Sequence, residues 1–75
     1  MPFAILEEQE GRRHWVRSNS FTTAIRPPLA HLQYAEREEA ERDAEIFRQE
    51  NARQAEAAKR RRSKIEPASY TIVQV

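Results

Sequence analysis

Three features of this 75-residue sequence predict a small α+β fold, an antiparallel sheet in β-β-α-β order covered by one long charged helix. The first is the run from Ala35 to Lys64, free of glycine and proline and rich in Ala, Glu, Arg and Gln, residues that lose little rotamer freedom in a helix. The second is Tyr70 to Val75, YTIVQV, whose β-branched and aromatic residues form the strongest strand signal in the chain. The third is a pair of shorter apolar runs near the N-terminus, separated by Gly11, the only glycine.

Phe3 to Glu7 (FAILE) follows Pro2, a residue that suits the start of a strand because it donates no ladder hydrogen bond. Gln9, Glu10 and Gly11 then read as a hairpin turn, with Gly11 supplying a positive φ at little cost. The second strand runs from Arg13 to Ser18, with Trp15 and Arg17 on one face and His14 and Val16 on the other. One of Trp15 and Val16 must face the core, and the larger apolar area of Trp15 favours it. Residues 19–35 form the connector. Its stretch Asn19 to Pro28 follows neither periodicity and reads as irregular, with Phe21 and Ile25 expected to tuck under the helix or into a small cluster of their own. Leu29 to Ala35 fits both a helical and a strand spacing, so the helix starts at Pro28 or at Glu36. No Ser, Thr, Asp or Asn directly precedes Glu36 to cap it, which tilts the choice toward the earlier start.

Within residues 36–64, Ala40, Ala44, Phe47, Asn51, Ala55 and Ala58 recur by fours and threes as a narrow apolar stripe. Phe47 is its only large member, the expected plug of a helix laid across a sheet, and Ile46 falls at or outside its margin. On the solvated side Glu38 with Arg42, and Glu56 with Arg60, have the i, i+4 spacing of weak ion pairs. Pro67 ends the helix at or before Glu66. In the final strand, residues 70–75, Tyr70, Ile72 and Gln74 share one face and Thr71, Val73 and Val75 the other. Apolar groups on both faces predict a place inside the sheet.

Composition excludes most chemistry. There is no cysteine, hence no disulfide or thiolate metal site, a pattern that fits a reducing, cytoplasmic setting. One aspartate, Asp43, and two histidines, His14 and His31, are poor material for a nucleophile triad or a metal cluster, and one glycine cannot build a phosphate-binding loop. The many carboxylates lie in solvated helical runs with no pocket to raise a pKa, so catalysis, cofactors and metal are not expected. The N-terminus lacks a basic start and a long apolar core, and no stretch reaches the ~20 apolar residues of a membrane span.

Charge supplies the candidate sites. The net charge is only +1, but acids and bases are sorted along the helix, which complements its dipole at both ends. Arg53, Lys59, Arg60, Arg61, Arg62 and Lys64 make a basic end suited to an acidic partner. Glu38, Glu39, Glu41 and Asp43 make an acidic start suited to a basic groove. A strand spans about 20 Å while a helix of some 25 residues spans about 37 Å, so the basic half should project beyond the sheet. Near-neutral charge in separated blocks favours protein recognition over a dedicated nucleic-acid binder, with nucleic-acid binding through the basic end as the alternative.

The β-β-α-β plan, with its EEAERDAE helix and terminal YTIVQV strand, resembles small orphan proteins of bacteriophages and mobile elements, including some anti-CRISPR proteins. That likeness is one of layout, and no functional residue transfers with it. It implies a stoichiometric inhibitor or modulator of a larger protein or ribonucleoprotein complex, such as a CRISPR effector. Self-association through the alanine stripe or an exposed sheet edge is a further expectation.

Overall fold

The structure is a computed structural model that describes residues 2–17, 20–24, 27–62 and 67–75. Its elements are β1 (Phe3–Gln9), β2 (Arg12–Arg17), β3 (Ser20–Thr23), a 3₁₀ turn (Ala30–Leu32), α1 (Arg37–Arg60) and β4 (Ser69–Gln74). The strands form one antiparallel sheet in the order β3-β2-β1-β4. The α+β plan stands, with one strand more than the sequence predicts.

Glu10 and Gly11 make the β1–β2 turn, with φ of 52° and 77°. Two successive positive φ values define a type I′ turn, whose twist matches that of the strands it joins. The resulting register pairs Gln9 with Arg12 and Ile5 with Val16. Register then decides what faces α1. Ile5 lies between Val16 and Ile72, so Val16 and not Trp15 joins the core beneath the helix. Trp15 stands on the opposite face beside Leu6, half-buried. Side-chain area lost to pairing phase: a one-residue slip would bring Trp15 inward but would turn Ile5's partners outward.

The connector differs most from expectation. Ser20–Thr23 is a strand, paired to β2 with Val16 opposite Phe21, and Phe21 is 70% exposed instead of tucked under the helix. Ile25 lies outside the described residues. Tyr34 exchanges two backbone hydrogen bonds with Phe3, of 2.8 and 2.6 Å, which anchors the chain just before α1. The helix therefore starts late, with Glu36 at the N-cap in extended conformation and no side-chain cap. Glu38 and Glu39 in the first turn supply the dipole complement a cap would otherwise aid. At the other end Arg61 N–H bonds the Ala57 and Ala58 carbonyls and Arg62 turns left-handed (φ 56°), so the helix stops at Arg60, short of Lys64.

The stripe packs as its spacing predicts. Ala40 and Ala44 are fully buried and Ala58 is 2% exposed. Phe47 and Asn51 are half-buried, and Phe47 stacks on Tyr70 with ring centroids 5.5 Å apart. The largest fully buried side chains are Tyr34, Ile5 and Leu32, so Phe47 shares the plug with Tyr34. Ala40, Ala44 and Ala58 of the stripe are thus spent inside the molecule, while Asn51 and Ala55 stay half-buried. Strand β4 lies beside β1, but at the rim of the sheet and not inside it. Its Tyr70 and Ile72 pack toward α1, while Val73 shares the other face with Ala4, which accounts for two apolar faces on an edge strand.

Candidate surfaces on the helix and the sheet

Sheet register places the helix lengthwise. Asn51 Oδ1 accepts the Ala68 N–H at 3.2 Å, Phe47 meets Tyr70, and Tyr34 Oη donates to Asp43 Oδ2 at 2.6 Å at the far end of the sheet. The helix runs antiparallel to β4, and its residues beyond Asn51 lie past the start of that strand. Arg53, Lys59, Arg60, Arg61 and Arg62 are all exposed there, at one pole of a molecule 42 Å long. Lys64 lies outside the described residues. Ala58 is buried, however, so the basic half is not a bare rod.

At the opposite pole Glu38, Glu39 and Glu41 are exposed, but Asp43 is half-buried. It holds Tyr34, which the Arg17 guanidinium covers at 4.4 Å from the ring centroid, and Arg17 Nη1 in turn donates to the Gln33 carbonyl. Burial, then the bond to Asp43, pushes the Tyr34 phenol well above its ordinary value, against the pull of Arg17. Asp43 therefore belongs to the lock between the connector and α1. Burial likewise raises the Tyr70 phenol, reinforced by its hydrogen bond to Glu7, its cross-strand partner.

The helical ion pairs fall elsewhere than the i, i+4 spacing suggested, one at i, i+4 and one at i, i+3. Arg37 pairs with Glu41 at 3.1 Å and Arg48 with Glu45 at 3.6 Å, in place of Glu38–Arg42 and Glu56–Arg60. Both observed pairs flank β4, because Arg48 Nη2 also donates to the Tyr70 carbonyl at 3.0 Å. The Val75 N–H to Pro2 carbonyl bond, 2.9 Å, sets the ladder phase so that the backbone groups of Tyr70, Ile72 and Gln74 face away from β1. Arg48 thus covers part of the exposed strand edge, a common safeguard against strand pairing. Above that edge a shallow groove of about 490 Å³ is lined by Arg37, Glu41, Glu45 and Arg48 with Tyr70, Thr71 and Ile72.

A second concavity, of about 350 Å³, lies where the hairpin turn meets the end of β3, lined by Gly11, Arg12, Arg13, His14, Thr23 and Ala24. Sequence reasoning missed these residues because it read Phe21 as buried and saw no strand at Ser20–Thr23. The alternation of Phe21 and Thr23 with smaller polar residues was the available signal, weak over four positions.

Among the described residues no three His, Cys, Asp or Glu side chains converge on a metal position, and no helix is long and apolar enough to cross a membrane. No protein-family model, curated protein or solved structure matches the chain.

Proposed function

We propose that this protein is a non-catalytic binding module that engages a larger protein through the outward surface of α1, as a stoichiometric modulator of a complex that handles nucleic acid. One observation carries the reading: α1 uses its apolar stripe within the fold and turns two oppositely charged blocks outward, Glu38, Glu39 and Glu41 at one pole and Arg53 with Lys59 to Arg62 at the other. Separated charges of this kind give orientation and partner discrimination, because a mismatched surface meets like charge at one end or the other. They also leave net charge near neutral, which limits indiscriminate attraction to nucleic acid.

The test is capture from a bacterial lysate treated with nuclease, comparing the tagged wild type with two charge reversals, Arg60→Glu/Arg61→Glu/Arg62→Glu and Glu38→Lys/Glu39→Lys/Glu41→Lys. The expected result is one defined protein retained by the wild type and lost from at least one reversal, with far-ultraviolet circular dichroism unchanged. Retention that survives both reversals, or no protein left after nuclease, would overturn the reading.

A further inference from the structure

The helix covers β4 and β1, and the sheet continues beyond it. On the helix-facing side of β2 and β3 stand Arg12, His14, Phe21 and Thr23, of which Arg12, Phe21 and Thr23 are exposed and His14 is half-buried. Single exposed apolar residues are ordinary and call for no explanation. Phe21 differs in its company. Its ring meets His14 edge-to-face, with centroids 5.9 Å apart and planes at 82°, and the same His14 lines the concavity shared by Arg12 and Arg13. The exposed ring thus touches one member, His14, of a concavity that Arg12 and Arg13 also line, Arg12 from the same face of the sheet and Arg13 from the other, and whose volume falls at the small end of ligand sites, about 300–1,000 Å³.

Topology adds to the charge. Gln9 pairs with Arg12, Glu8 pairs with Ser69, and Ala68 bonds Asn51, so the hairpin arginines lie at the same pole as Arg53 and the Lys59 to Arg62 cluster. These groups are separated by forty or more positions in the sequence, which hid the juxtaposition. Nearby acids temper the field: Glu8 stands opposite Arg13, Glu10 sits in the turn, and Glu7, opposite His14, bonds Tyr70. Phosphate attraction here is local to Arg12 and Arg13, and the stacking surface must supply the rest.

We propose that the open half of the sheet is a binding site for unpaired nucleotides, with a base stacked on Phe21 beside His14 and the adjoining phosphates held by Arg12 and Arg13. An aromatic platform beside a cationic groove is the general physical solution for single strands, since every base presents a π-face and every linkage a charge. A duplex keeps its bases stacked on each other and gains nothing from Phe21. This surface lies on the sheet face beyond α1, and Phe21→Ala leaves every α1 charge assigned to a protein partner in place, so the two assignments can fail separately.

Fluorescence anisotropy with labelled twelve-nucleotide oligo-U and oligo-dT, and with a duplex of equal length, at a series of salt concentrations tests the site. The wild type should bind at least one single strand more tightly than the duplex, and comparison of the two strands tells whether the ribose hydroxyl matters. Phe21→Ala should weaken binding about 5- to 100-fold with the salt dependence unchanged, while Phe21→Trp retains it. Arg12→Ala/Arg13→Ala should weaken binding and flatten the log–log salt slope by about 1.4, two phosphate contacts at about 0.7 each. Phe21 is exposed, so these variants keep the wild-type circular dichroism. Undetectable binding of both single strands at low salt, equal affinity for the duplex, or full affinity in Phe21→Ala would overturn the proposal.

Discussion

The two halves of the sheet are made by the same alternation of side chains, yet the half formed by β1 and β4 is closed by α1, while among the described residues the half formed by β2 and β3 is open beyond Val16, which is buried beside Ile5. Ile72, Ile5 and Val16 pack in one cluster with Ala40 and Ala44, whereas Phe21, the cross-strand partner of Val16 on the same face, is 70% exposed. Widths explain the difference. Strands lie 4.7–4.9 Å apart and a helix with its side chains is about 10–12 Å across, so one helix roofs about two strands. Alanines at the contact let α1 sit low over those two and make the closed half narrow. The open half is the remainder of that geometry.

This contrast can be broken at the closed side first. Tyr34→Ala removes a 2%-exposed ring together with its bond to Asp43 and its contact with Arg17, and should cost about 3–5 kcal/mol, enough to unfold so small a domain in a urea titration. Phe47→Ala, at a half-buried ring stacked on Tyr70, should cost less, about 2–3 kcal/mol, with a lower urea midpoint but a retained transition.

Alkaline pH probes the same half without mutation. Both the Tyr34 and Tyr70 phenols are raised above their unfolded value, so their contribution is complete below about pH 10 and is lost as pH climbs toward their folded values. Stability should fall above pH 10 by up to about 1.4 kcal/mol per pH unit for each tyrosine, and Tyr70→Phe should roughly halve that slope. A pH-independent midpoint between pH 10 and 11 would show that neither hydroxyl is held as described. Tyr34→Phe, which spares the ring, should cost about 1–2 kcal/mol at neutral pH because Asp43 loses its donor.

The smallest effect belongs to the open side. Phe21→Ala should change stability by less than about 0.5 kcal/mol. A loss approaching that of Phe47→Ala would mean that Phe21 is covered, and the contrast between the halves would collapse.

Much of the closed half was legible in the sequence. The stripe from Ala40 to Ala58 was readable because a 3.6-residue period is a property of the chain alone, and the positive φ at Gly11 because only glycine adopts it cheaply. The candidate site was less so. The basic block was visible as a run of charges, but Asp43 was grouped with the surface acids since nothing local to it reveals Tyr34, nine positions away and across a break in secondary structure. Arg12 and Arg13 drew no attention because their company, Phe21 and the far end of α1, is assembled only by strand pairing.

Local sequence by itself determined that there is one long helix with one narrow apolar face, a tight hairpin near the N-terminus, and a C-terminal strand with Tyr70 and Ile72 on one side. Each follows from backbone preferences and side-chain periods that act over a few residues. Tertiary structure alone decided that Val16 and not Trp15 lies under the helix, that β4 takes an edge, and that Phe21 faces water. Those outcomes depend on which strands pair, in what phase, and how many of them a single helix is wide enough to cover.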